Sequence, residues 1–173
     1  KIMGDKSLSR RDFQRVTKPL SSFGATFKTN SGRLPIYING TSKPRPISFY
    51  ENKGSAQCKS SIMLAALNTK GVTKIKAKKS RNHTELLFKY LNLPIKINKK
   101  KKIDHINIYG GKKIKPINYK IPSDISSSAF FIILTALSKD SKINIKNVNI
   151  NPTRTGILKI LKLMGIKIKI KNE

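Results

Sequence analysis

The sequence predicts an α/β protein with its helices inside and its sheets outside, the reverse of an ordinary α/β barrel. Three observations carry that prediction. Two long segments repeat the same order of elements. The helices expected over 61–67 and 129–137 are apolar almost all round, which predicts burial on every side. The segments INIKNVNI (143–150) and IKIKIK (166–171) alternate apolar and polar residues, which predicts strands with one wet face.

The elements follow in chain order. SLSRRDFQRVTKPLSSFGATFK (7–28) reads as the latter half of a repeat, with a helix ending near Gly24. LPIYING (34–40) adds a strand closed by a glycine turn. GSAQCKSSIMLAAL (54–67) opens the first full repeat: a polar turn, an apolar helix, the strand VTKIKAKK (72–79), a second helix in SRNHTELLFKYLNL (80–93) and the strand PIKIN (94–98). HINIYGG (105–111) adds another strand. The second repeat runs PSDISSSAFFIILTAL (122–137), SKINIKNVNI (141–150), NPTRTGILKILKLMG (151–165) and IKIKI (166–170). Arg81 stands eleven residues before Asn92, and Arg154 eleven before Gly165. Asn and Gly best tolerate the left-handed position that closes a helix, so both should be C-terminal caps. Arg11 lies near the corresponding place, although its stretch to Gly24 is two residues longer.

Bulk composition narrows the function. The 173 residues are 38% hydrophobic and contain one cysteine, Cys58, so no disulfide framework is possible and a reducing compartment is expected. The apolar run 129–137 is too short to span a bilayer and is broken by Thr135, so no membrane partner is expected. The first residue is Lys1 rather than methionine, and the chain is expected to be a fragment or a processed product. The net charge of +29 invites a polyanion partner. Against a dedicated nucleic-acid role, the lysines are spread along the chain and only NKKKKI (98–103) is dense. Aromatic residues are not interleaved with that block, so stacking platforms are not evident. General attraction of anions is the expectation that remains.

The polar opening of GSAQCKSSIMLAAL fits an anion. Ser55 is a good N-cap, and a helix N-terminus offers free backbone N–H groups and a positive dipole end. Ser55 and Gln57 would add side-chain hydrogen bonds. The plain alternative is that Ser55 only caps and Gln57 is solvated. Arg11, Arg81 and Arg154 each stand near a helix start, where the dipole disfavours a cation. Their recurrence suggests bound anions, since guanidinium forks match phosphate and carboxylate. The competing reading is a structural arginine bonded to carbonyls or to Asp5, Asp124 or Glu85. That reading suits Arg154, whose turn NPTRTG looks architectural.

GDKSLSRR, GSAQCKS, SRNHTELL, IPSDISSSAF and NPTRTGIL, in this order, resemble the 5-enolpyruvylshikimate-3-phosphate synthase family over essentially the whole chain. The SAQ form with SRNHTE is more similar to its glyphosate-tolerant branch. The related enolpyruvyl transferases that act on UDP-N-acetylglucosamine share the fold but match SRNHTE less well. The resemblance implies the two-lobed enolpyruvyl transferase fold, an inside-out α/β barrel built from βαβαββ repeats and incomplete in these residues, with residues 1–120 finishing one lobe and 121–173 beginning the returning part of the other. It implies transfer of enolpyruvyl from phosphoenolpyruvate to the 5-hydroxyl of shikimate 3-phosphate, with phosphate released and neither metal nor cofactor. It implies Arg11 on phosphoenolpyruvate, Ser55, the Ala56 backbone and Arg81 on shikimate 3-phosphate, and Gln57 on both. Asp124 and Arg154 become structural residues near the site. The family's general acid and base groups have no counterpart here, so no catalytic residue is assigned and these residues alone are expected to be inert. The resemblance further implies a monomeric, cytoplasmic enzyme, or a plastid one in a eukaryote. A basic nucleic-acid-binding or non-catalytic remnant is the rival class.

Two positions depart from the family pattern. Asp12 follows Arg11 where proline is usual, and an acid there is expected to weaken the arginine's grip. Ser123 stands where glycine is usual, so a strained turn is expected. The remaining chemistry-bearing residues read plainly. His83 and His105 lack metal-ligand spacing. Cys58 sits where a helix dipole could lower its pKa, but a small residue packed in a core helix is the preferred reading. Lys59 is expected to be exposed or to snorkel.

Overall fold

The computed structural model describes residues 1–111 and 113–171, in two compact units, Lys1–Lys115 and Pro116–Glu173. The first unit opens with α1 (Lys6–Ser9) and α2 (Gln14–Ser22), followed by the antiparallel pair β1 (Thr26–Asn30) and β2 (Arg33–Asn39). Then come β3 (Ser48–Glu51), α3 (Ala56–Leu67), β4 (Gly71–Lys78), α4 (His83–Tyr90), β5 (Ile95–Lys99) and β6 (Ile103–Gly110). From β3 to β6 the order is βαβαββ, the repeat unit that the family resemblance implies.

These four strands form one sheet in the order β3-β4-β6-β5. β3 pairs parallel with β4, which the α3 crossover permits, and β6 runs antiparallel to both β4 and β5. Strand alternation sorts the side chains. Ile75 and Ala77 face inward with Ile106, Ile108, Ile95 and Ile97, while Lys74, Lys76 and Lys78 face outward and are exposed. α3 lies on the inward face and contributes Cys58, Ile62, Met63, Ala66 and Leu67 to the core, joined by Phe23 after α2 and Phe88 of α4. The helix is inside and the sheet outside, as expected. Burial of α3 is not complete: Leu64 is 55% exposed.

Glycine is required where sheet and helix meet. A Cβ on Gly110 would lie 1.9 Å from the Ala66 carbonyl oxygen and 2.2 Å from that of Thr69. The bare backbone lets β6 end against the last turn of α3, where the Gly111 amide donates to the Leu67 carbonyl at 2.8 Å. The helix stops also follow the sequence. Asn92 and Gly165 both have positive φ. After α4, the Leu93 amide donates to Phe88 O and the Asn92 amide to Lys89 O, the Schellman pattern.

The second unit holds α5 (Ile125–Leu137) and α6 (Gly156–Leu163), with Ile125, Leu158 and Leu161 buried. Here three expectations need correction. α5 is not buried on all sides: Phe130 is 78% exposed and Leu137 81%. The strands expected at 143–150 and 166–171 do not form. Among the described residues of this unit, pairing is limited to the single parallel bridge of Ser123 with Val148. A strand needs a neighbour to exchange hydrogen bonds, and this unit supplies none beyond that bridge. Asn172, which ends the alternating stretch IKIKIKN, lies outside the described residues. Ser123 carries no left-handed strain. It has no positive φ, and it donates to Asn147 O and accepts from the Asn149 amide.

Candidate functional site

A cleft of about 820 Å³ opens at the N-terminus of α3. That size suits a small organic ligand. Its wall is the turn from β3 into α3. Gly54 has φ of +70°, which carries the chain round the corner. Ser55 then caps α3, its Oγ accepting from the Cys58 amide at 3.2 Å. Ala56 and Gln57 are the first two helical residues, so their amides are among those a helix leaves unpaired. Gln57 is exposed at the cleft.

The rest of the lining includes residues of α2 and of the start of α4. Arg81 directly precedes Asn82, the N-cap of α4, and lines the cleft with Ser80. From α2 come Arg15 and Lys18, and from the β3–α3 turn Lys53. These four cations outnumber two lining acids, Asp12 and Glu51. Both acids are engaged by backbone amides. Glu51, 3% exposed, accepts from Lys53 N at 2.9 Å and Gly54 N at 2.8 Å. Asp12 accepts from Gln14 N at 2.8 Å, which caps the first turn of α2. The cleft therefore combines helix N-terminal amides, hydroxyl and amide side chains and an excess of cations, the components that hold phosphate and carboxylate.

Of the residues singled out from the sequence, Ser55, Ala56, Gln57 and Arg81 line this one cleft. Arg11 does not. It is exposed in the link between α1 and α2, its amide donating to Leu8 O. Arg15 and Lys18 were not foreseen. Their signal was the i, i+3 spacing on α2, which puts both on one helix face.

Arg154 has its own partners. Its guanidinium donates to Asp124 Oδ1 at 3.1 Å and to Ser126 Oγ. Asp124 also caps α5, accepting from Ser126 N at 3.1 Å. That backbone bond, with Arg154, holds the Asp124 carboxyl below its ordinary value. The NPTRTG turn is built on Asn151, whose Oδ1 accepts from Thr153 N at 2.9 Å and whose carbonyl accepts from Arg154 N at 2.8 Å. The architectural reading of Arg154 fits this geometry.

Two helix α3 residues also need comment. Cys58 is buried, and its thiol is pushed up to about 11, first by burial and then by the Glu51 carboxylate, with Arg15 acting in the opposite sense. Its burial in the core cluster fits a packed core residue rather than a dipole-activated thiolate. Lys59 is neither exposed nor snorkelling. Its Nζ lies 2.5 Å from Glu85 Oε1, with the two side chains 1% and 6% exposed. Among the described residues no three His, Cys, Asp or Glu side chains are grouped to hold a metal ion, and no helix is long and apolar enough to cross a membrane.

The sequence pattern of EPSP synthase (3-phosphoshikimate 1-carboxyvinyltransferase) matches residues 1–173. The chain is 43% identical over 173 residues to the 3-phosphoshikimate 1-carboxyvinyltransferase of Vesicomyosocius okutanii, covering 99% of the chain and 39% of that protein. It is 44% identical over 176 residues to that of Petrotoga mobilis, covering 99% of the chain and 40% of the relative. The chain thus spans about two fifths of the length of the curated relatives it matches. Among solved structures, EPSP synthase from Acinetobacter baumannii superposes with a TM-score of 0.80 at 36% identity, over 98% of this chain and 38% of that one. The enolpyruvyl transferase NikO from Streptomyces tendae superposes with a TM-score of 0.68 at 14% identity, over 95% of this chain and 41% of its own, a likeness of fold.

Proposed function

The chain belongs to the EPSP synthase (3-phosphoshikimate 1-carboxyvinyltransferase) family, and we propose that its residues serve, in the whole protein, enolpyruvyl transfer from phosphoenolpyruvate to the 5-hydroxyl of shikimate 3-phosphate. In this reading the enol carbon gains a proton while the 5-hydroxyl oxygen, giving up its own proton, bonds to the adjacent carbon; the tetrahedral intermediate then loses phosphate together with a proton from the new methyl group, which leaves the enol ether. The supporting observation is the cleft, where the α3 N-terminus, Gln57 and Arg81 meet under a net positive wall. Ser55 and the Ala56 amide hold shikimate 3-phosphate, with Arg81 opposite them. Gln57 touches both substrates. Arg15 and Lys18 supply the local positive field, and Arg11, next in sequence to the lining residue Asp12, serves phosphoenolpyruvate. These residues bind and orient, and proton transfer falls to groups elsewhere in the whole protein. Residues 1–120 belong to one lobe and 121–173 to the return into the other. The partners are small anions rather than nucleic acid or membrane, and the enzyme acts as a monomer in the cytoplasm, or in a plastid.

Calorimetric titration of the whole protein with shikimate 3-phosphate tests the reading. Charge-assisted hydrogen bonds contribute about 1.5–3 kcal/mol, so Arg81→Ala should weaken binding about ten- to hundredfold. Wild-type protein that fails to bind shikimate 3-phosphate refutes the function, and unchanged affinity in Arg81→Ala refutes the assignment of that residue. Binding should persist at moderate salt, whereas a polyanion binder would lose affinity steeply through counterion release.

A further inference from the structure

We propose that the buried Lys59–Glu85 ion pair, with the Ser60–Thr84 hydrogen bond beside it, is a positioning device that fixes the start of α3 against the start of α4. The inference rests on the reading of the cleft given above. Lys59 Nζ and Glu85 Oε1 are 2.5 Å apart. The adjacent residues repeat the bridge, Ser60 Oγ lying 2.6 Å from Thr84 Oγ1. Stability does not account for the ion pair. Desolvating two charges consumes most of their attraction, and apolar side chains of similar volume commonly do as well or better. The pair is also imperfect: Glu85 Oε2 is buried without a hydrogen-bond partner. Lys59 stands in the early turns of α3, where the helix dipole disfavours a cation.

Location supplies the reason. Lys59 is two residues beyond Gln57, and Glu85 four beyond Arg81. Each partner is within about a turn of a cleft residue. An apolar contact tolerates sliding, but a charged hydrogen bond has a narrow optimum of distance and angle. Together the two bridges set the separation of the Ser55–Gln57 wall from Arg81. Misplacing a binding group by about 1 Å can cost about a hundredfold.

The test compares two variants of the whole protein with wild type. Lys59→Met combined with Glu85→Leu should keep or raise the melting temperature while raising Kd for shikimate 3-phosphate at least about tenfold. Ser60→Ala combined with Thr84→Val, which touches no charge, should raise Kd by at least about threefold with the fold intact. It decides the matter if the first variant does not fold. A folded double variant with wild-type affinity overturns the proposal, as does affinity that falls only in step with melting temperature. If wild type itself ignores shikimate 3-phosphate, the functional reading has failed, and the same variants are titrated with inorganic phosphate. Phosphate binding that they leave unchanged overturns the positioning role as well.

Discussion

Gly110→Ala puts the contact between sheet and helix to the test. The added Cβ would stand 1.9 Å from Ala66 O and 2.2 Å from Thr69 O. Ordinary contact begins at 3.4 Å, so β6 and the end of α3 must part by roughly 1.5 Å. Both obstacles are backbone atoms, so no rotamer change relieves them. The parting pulls Ala66 and Leu67 from the core and breaks the Gly111–Leu67 hydrogen bond. Overpacking costs about 1–3 kcal/mol and a lost hydrogen bond about 1, giving a loss of about 2–4 kcal/mol. With a urea slope of about 1.5–2 kcal/mol/M, the unfolding midpoint should fall by about 1–2.5 M. Circular dichroism reads the midpoint, and hydrogen exchange at the Gly111 amide reads the local opening. Gly40→Ala is the control, since nothing lies within 4 Å of its added Cβ, and it should stay within about 0.5 kcal/mol. If Gly110→Ala matches that control, the close approach of β6 to α3 is wrong.

The Cys58 thiol, at about 11, lies two units above its ordinary 9.0, so near pH 8 it should alkylate with iodoacetamide at least about a hundredfold more slowly than a free thiol. Glu51→Gln removes a cause of that shift and should speed the reaction; a slower reaction would contradict the electrostatics of the cleft floor. Asp124 is held below its ordinary 3.8, so its contribution to the folded state is complete above that value and fades as pH falls through the lowered one. Wild type and Asp124→Ala should therefore differ in thermal unfolding at pH 6 and converge in strong acid, and a difference that persists there would point to packing instead.

What could be read in the sequence was local. Helix stops at Asn92 and Gly165 follow from residues that tolerate positive φ. Ser55 as a cap follows from its oxygen, and the outward lysines of β4 follow from period-two alternation. What escaped was relational. Lys59 looks like a surface lysine to any rule that treats one residue at a time, and only folding brings Glu85 to it. Asp12 stood out only as the neighbour of Arg11, and nothing local said that its carboxylate would also accept from Gln14 N. Arg15 and Lys18 carried a visible spacing, but nothing in the sequence said which face of α2 meets the α3 start.

The second unit shows the same distinction from the other side. Its local code is also apolar-rich: INIKNVNI alternates in two short runs that slip by one residue at Lys146–Asn147, IKIKIK alternates throughout, and α5 is more apolar than α3. In the first unit that code is satisfied, because β4 has β3 and β6 beside it and α3 has a sheet beneath it. In the second, the alternating segments reach one bridge, and the large side chains of α5 stay exposed. Alternation specifies which side of a strand faces inward, not that a neighbour is present to complete the ladder. A helix apolar all round specifies neighbours on several sides, and the exposed Phe130, Leu134 and Leu137 mark the sides of α5 that have none among the described residues. Local elements with firm caps, such as α5 under Asp124 and the NPTRTG turn on Asn151, form without those neighbours because their hydrogen bonds close within a few residues. The strands do not, because theirs must close between segments.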